Sequence, residues 1–147
     1  MLENQDQKNN FQQLEQAYRE TSFRVFEPAF VISIGTQNPE LSNLLAQHEE
    51  NTWAYITAHN PRSKLFSVEV NQQRHGALVE RVEELGLIYF EGAGVGSDST
   101  WPPEVSLLIL GISKAQAEEL GRRFEQNCIV YGSTEESAYL LWCVTPS

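Results

Sequence analysis

The sequence predicts an α+β domain: one mixed sheet of about five to six strands, with helices packed against it. Three observations lead there. The 147 residues, 41% of them hydrophobic, suit one domain of ordinary size with a core of its own. Segments with a helical period and segments rich in β-branched residues follow one another as α-β-α-β-α-β-β-α-β-β, which is not regular enough for a doubly wound fold. No linker and no internal repeat divides the chain, so residues 11–147 read as a single α+β domain behind a polar, flexible stretch at 1–10.

Each element has its own signal. Phe11, Leu14 and Tyr18 fall at i, i+3 and i+7, the stripe of a helix ending near Thr21. Phe30-Val-Ile-Ser-Ile34 is a β-branched strand stopped by Gly35. Asn38-Pro39-Glu40 opens the next helix, with Asn as N-cap, Pro in the first turn and an acid near the positive end of the dipole. That helix buries Leu41, Leu44 and Leu45. Trp53–Thr57 is a strand that runs into a loop carrying His59, Arg62 and Lys64. Ser67 caps a long helix over about 68–85, lined by Leu78, Val82 and Leu85 and stopped by Gly86. Leu87–Phe90 is a strand, and residues 91–103 read as a Gly-rich loop. Val105–Leu110, the most apolar stretch, predicts a central strand. Ser113 and Gln116 form a capping box for a helix over about 114–126. Cys128–Tyr131 and Ser137–Cys143 close the chain as a hairpin.

Twenty acids against ten bases give a net charge of −10, and only Asp6 and Asp98 among the acids are Asp. Glu favours helices, so most of this charge belongs on solvated helix faces. Such a surface repels phosphate backbones and disfavours nucleic acid as a partner. No apolar run is long enough to span a membrane, and the N-terminal MLENQDQKNN lacks the core of a signal peptide. The expectation is a soluble, cytoplasmic protein.

Several motifs invite chemistry. Gly92-Ala-Gly-Val-Gly96 follows a strand, but Pro102 and Pro103 prevent the helix that a dinucleotide site would need there. The segment is better read as a mobile connection between two strands, one able to serve as a lid over a site. Between Thr57 and Arg81 the bases Arg62, Lys64, Arg74 and Arg81 outnumber Glu69 and Glu80. Together with the helix start at Ser67 they form a candidate anion site, unless they are only solvated charges. Glu104 and Ser106 share a face of the apolar strand by period two. Glu104 is then either a buried carboxylate suited to acid–base or orienting work, or a solvated strand end. Asn127 suits a left-handed helix cap, while Gln126 either satisfies backbone or contacts a ligand. Cys128 and Cys143 flank the hairpin turn and pair as a disulfide only if the register lets them meet; otherwise they are buried free thiols. His48, His59 and His75 lack metal-ligand spacing to the cysteines, so no metal or cofactor is expected.

Taken in order, Trp53-Ala-x-Ile-Thr57-Ala-x-Asn60-Pro61, Asn71, Gly92–Gly96, Trp101-Pro-Pro-Glu104-x-Ser106-x-Leu108, Gly111-Ile-Ser113 and Arg123-Phe124-x-Gln126-Asn127 form a pattern. It resembles a family of uncharacterised bacterial domains catalogued only as a domain of unknown function. The likeness runs from about Ala17 to the final hairpin. His59 stands where that pattern has Trp or Cys, and Cys128 where Ala is commoner. The resemblance implies no reaction. It does imply that Thr57, Asn60, Asn71, Glu104, Ser106, Gln126 and Asn127 belong together.

Two functional readings stand open, and neither decides whether the protein is an enzyme. In the first, these residues line a cleft for a polar or anionic metabolite such as a nucleotide. Thr57 and Asn60 supply hydrogen bonds, Glu104 is the candidate catalytic or orienting carboxylate, and Arg62 or Arg74 contacts the anion. In the second, the chain is a protein-interaction module. Its anchors are Trp101-Pro102-Pro103 and Trp142, and the polar set is structural.

Overall fold

Leu107, Leu108 and Ile109 are fully buried, which places their strand at the middle of the sheet. The computed structural model describes residues 2–144, and among these the elements run in the following order. Helix α1 is Leu2–Arg19, β1 Ser22–Val25, β2 Phe30–Ile32, α2 Pro39–Gln47 and β3 Thr52–Thr57. Then come α3 Val68–Glu84, β4 Ile88–Val95, β5 Glu104–Leu110, α4 Lys114–Arg123, β6 Cys128–Ser133 and β7 Tyr139–Trp142. The seven strands form one sheet in the order β2-β1-β4-β5-β3-β6-β7. Every pairing is antiparallel, so the sheet is not mixed and has more strands than the sequence suggests.

The centre of this order has a simple logic. Helix α3 joins β3 to β4 and α4 joins β5 to β6, yet each pair of strands so joined is separated by a third strand that runs the other way. The result is a β-α-β-β-α-β split motif, the ferredoxin-like arrangement. Its helices cover one face. Leu107 and Ile109 of β5 pack there with Leu78 and Val82 of α3 and with Ala117 and Leu120 of α4. The pleat turns Leu108 and Leu110 to the opposite face, where Trp53 and Tyr55 join Leu41, Leu44 and Leu45 of α2. Among the described residues no helix is long and apolar enough to cross a membrane.

The helix starts follow their capping chemistry. Asn38 accepts a hydrogen bond from Leu41 N (3.0 Å), and Ser67 accepts one from Val70 N (3.2 Å). Ser113 and Gln116 form the expected reciprocal box. Gly86 takes φ +72° after α3, as a left-handed stop should. Helix α4 ends at Arg123, and the left-handed residue that follows it is Glu125 (φ +57°) rather than Asn127. Helix α1 is already helical at Leu2, ahead of its apolar stripe. Phe11 and Tyr18 pack on Trp142, with ring centroids 4.9 and 6.2 Å away.

Two departures concern the glycine segment. A four-residue strand, β1, precedes Phe30; it buries only Phe23 and Val25, too short a pattern to stand out in the sequence. Its partner is the stretch read as a loop: Ser22 faces Val95, Phe23 faces Gly94 and Val25 faces Gly92. Gly92, Gly94 and their neighbours are therefore strand, not a flexible cover. Gly92 is needed for close approach. A Cβ there would overlap the Arg24 carbonyl oxygen and lie 3.0 Å from the Tyr55 hydroxyl, which donates to that same carbonyl (2.7 Å).

The hairpin register pairs Cys128 with Trp142, so Cys128 faces α1 while Cys143 packs on the α3/α4 side. Side chains offset by one residue point to opposite faces, and both cysteines are free thiols. Gly92→Ala should destabilise the fold by about 1–3 kcal/mol through overpacking. Gly94→Ala, whose Cβ would meet Thr21 at an ordinary 3.6 Å, should be far milder. Paired urea melts check this, and equal losses would contradict the close-approach account.

Candidate functional site

The site begins where β3 ends. Thr57 pairs with Ser106 of β5, and its hydroxyl donates to the Val105 carbonyl (2.8 Å) while accepting from His59 N (3.0 Å). These bonds turn the chain out of the sheet. Asn60 follows in a left-handed conformation (φ +50°), a region Asn tolerates better than most residues. Its side chain makes three hydrogen bonds. Oδ1 accepts from Asn71 Nδ2 and from Phe66 N, both at 2.9 Å, and Nδ2 donates to Glu104 Oε2 at 2.8 Å. The Asn60 backbone N–H donates in turn to Asn71 Oδ1 (2.9 Å). Asn60 and Asn71 are buried, as are Ser106 and Gln126.

Glu104 heads β5 on the same face as Ser106. Its Oε2 receives the Asn60 amide and the Trp101 indole N–H (3.4 Å), while Oε1 accepts no hydrogen bond from the described residues. Burial pushes this carboxyl above the ordinary carboxylate range, and the two donors offset only part of that shift. Glu104 is thus half-buried, with one carboxylate oxygen held by two donors.

The carboxylate lies on the wall of a cavity of about 550 Å³ between α1 and the sheet. Leu14, Ala17 and Tyr18 of α1 form one side, and Tyr55, Thr57 and Ser106 form the other. Trp101 lines it too, along with Ser97 and Asp98. Helix α1 covers one side of the hollow, and Gly94 and Gly96 of the glycine-rich stretch line it as well. Sequence reasoning missed the α1 contribution because an apolar stripe looks the same whether it meets core or empties onto a hollow.

The other expected residues are placed differently. Arg74 Nε donates to the Ala58 carbonyl (2.7 Å), its Nη2 donates to the Phe124 carbonyl, and its Nη1 stands 3.5 Å from Glu125. Arg62 Nη1 donates to the Gln126 carbonyl (2.9 Å). Gln126 Nε2 donates to the carbonyls of His59 (3.0 Å) and Phe124 (3.2 Å), and Asn127 Nδ2 donates to Ser63 Oγ (3.0 Å). These four residues clamp the loop after β3 to the turn after α4, and none lines the cavity. Arg74 and Arg81 do border a more open groove of about 450 Å³, but Glu80 and Glu84 stand among them. Trp101, expected as an outward anchor, is half-buried against Glu104.

A family model described as "Protein of unknown function (DUF3293)" matches residues 56–129, half of the chain. The match begins within β3 and ends within β6, so it spans nearly all of the split motif and includes Asn60, Asn71, Glu104 and Gln126. Comparison with curated proteins and with solved structures finds no match.

Two measurements probe this network. Asn71→Leu leaves the buried Asn60 N–H without its acceptor and should cost about 1–3 kcal/mol in a urea melt. The second concerns pH. Glu104 has a folded pKa above its ordinary 4.5, so its contribution to stability is fully present below that value. As pH rises the unfolded chain ionises first, and the contribution is lost until the pH passes the raised folded value. Glu104→Gln keeps an acceptor for Asn60 and Trp101 but cannot ionise. The variant should melt above the parent at about pH 7.5, with the gap closing toward pH 4.5. A gap independent of pH would show that Glu104 is not titrating in a desolvated place.

Proposed function

The chain belongs to the DUF3293 family of proteins of unknown function, and we propose that it binds a small molecule in the hollow between α1 and the sheet, with Glu104 as the orienting group. One observation carries this reading: a cavity of about 550 Å³ has on its wall a desolvated carboxylate with one oxygen held and the other free. The volume falls within the range of about 300–1,000 Å³ usual for ligand pockets. Apolar side chains supply most of the rest of the wall, including Leu14, Phe23, Cys128 and Val130. A few fixed polar groups among apolar walls are the ordinary composition of a ligand site.

The role assigned to Glu104 is recognition. Its hydrogen-bond partners are Asn60 and Trp101, and neither is a nucleophile or a second acid. Asn60 and Asn71 hold the carboxylate in place, while Thr57 and Ser106 add hydroxyl oxygens beside it. Arg62, Arg74, Gln126 and Asn127 hold the loop that carries Asn60, so they are positioning residues. The reading as an interaction module draws less support, because the Trp101 indole is committed to Glu104.

The uncharged dye N-phenyl-1-naphthylamine tests the cavity itself. It should brighten on addition to the protein and saturate at one equivalent. Ala17→Trp, which fills the hollow from α1, should abolish the signal with little change in melting temperature. Absence of saturable binding, or equal binding by a folded Ala17→Trp protein, refutes the proposal.

A further inference from the structure

The part of the cavity wall around Glu104 is one-sided in its hydrogen-bond chemistry. The Thr57 hydroxyl proton goes to the Val105 carbonyl (2.8 Å) and that of Ser106 to the Glu104 carbonyl (2.8 Å). The Tyr55 hydroxyl donates to the Arg24 carbonyl (2.7 Å). The Asn60 amide and the Trp101 indole both donate to Glu104 Oε2. With those protons spent on the protein, the groups around Glu104 offer lone pairs to the hollow rather than N–H or O–H bonds. The donors that line the hollow without an acceptor of their own, the Tyr18 and Ser63 hydroxyls and the Gln13 amide, belong to α1 and the loop after β3 rather than to the strand ends that carry Glu104, Ser106 and Thr57.

Charge points the same way. Among the described residues lining the cavity there is no Lys, Arg or His, whereas Glu20, Asp98 and Glu104 are present. Glu20 already accepts from Gln16 (2.6 Å) and Ser97 (2.9 Å), and Asp98 from Thr100. Both Thr100 bonds fall on Asp98 Oδ1, but Asp98 is exposed at the rim, so the free oxygen of Glu104 is the carboxylate oxygen set among the apolar walls. Tyr18, Phe23, Tyr55 and Trp101 add aromatic rings, whose faces attract cations and whose area suits an apolar body.

Resting on the cavity reading above, we propose that the ligand is a protonated amine on an apolar body, its ammonium group bound by the Glu104 carboxylate and the hydroxyl oxygens of Thr57 and Ser106. An ammonium group brings three donors and no acceptor, the complement of this wall. This departs from the anionic metabolite expected from the sequence. The arginines behind that expectation, Arg62 and Arg74, donate to backbone carbonyls elsewhere.

Three probes of matched shape decide it: 3-phenylpropylamine, 3-phenylpropan-1-ol and 3-phenylpropanoate, each competing with the bound naphthylamine dye at neutral pH. The amine should displace the dye at about tenfold lower concentration than the alcohol, the difference expected of a charge-assisted hydrogen bond. The carboxylate should not compete. In Glu104→Gln the amine and alcohol should become equivalent while the dye still binds. A carboxylate or alcohol that matches the amine, or an amine preference that survives in Glu104→Gln, overturns the amine assignment and leaves the cavity reading standing. Failure of the dye itself to bind overturns both.

Discussion

Asn60 ties together three parts of the chain that the sheet alone would leave apart. Its backbone has left β3 in a left-handed turn, its Oδ1 receives Asn71 from the first turns of α3, and its Nδ2 holds Glu104 at the head of β5. A residue with only one kind of hydrogen-bonding group could not do this. An aspartate in its place would lack the donor and set a second carboxylate beside Glu104, while an alanine would leave the Phe66 N–H, the Asn71 amide and Glu104 without their partner. Buried polar networks of this kind must be complete, because a partner lost inside low dielectric costs more than the bond contributes. The clamps outside it serve the same end. Arg62 and Ser63 are also held at positive φ (+54° and +61°), and Arg62, Arg74, Gln126 and Asn127 fasten that loop to the turn after α4.

The parts legible in the sequence were those set by local chemistry. Asn38, Ser67 and Ser113 cap the helices they precede, and the period-two reading of Glu104 and Ser106 places both on one face. What stayed hidden was pairing. The order β-α-β-β-α-β can be read along the chain, but nothing local says that β5 inserts between β3 and β4. Gly92 misleads for a related reason. Glycine in a strand looks like a loop until a second strand is seen to approach where a Cβ would stand. The arginines mislead through charge: a guanidinium that donates to carbonyls at helix and strand ends has the same sequence signature as one that binds an anion.

The family match falls inside the split motif. Residues 56–129 are nearly all of the split motif, whose two helices cover one face of its four strands. The other face carries Tyr55, Leu108 and Val130, and an apolar sheet face of that size needs a cover. Helix α2 supplies one with three buried leucines. Helix α1 supplies the other, but it meets the sheet through Phe11 and Tyr18 on Trp142 and leaves a hollow beside them. The glutamate of the split motif and the roof over it thus come from different parts of the chain.

Glu104 is half-buried, with one oxygen held and the other open to the hollow, and burial disfavours its charged form. A glutamine there would keep its neighbours' hydrogen bonds without that cost, so stability gives no reason for glutamate at this position. A cationic ligand does: it would offset the desolvation that raises the carboxyl, and binding would favour the ionised form that folding disfavours. The net charge of −10 works in the same direction, since its field draws small cations toward the molecule and repels anions. At physiological salt that field fades within about 8 Å, so it affects encounter more than residence. Residence of the proposed ammonium group would depend on the free oxygen of Glu104 and on hydroxyls whose protons are already committed to the fold.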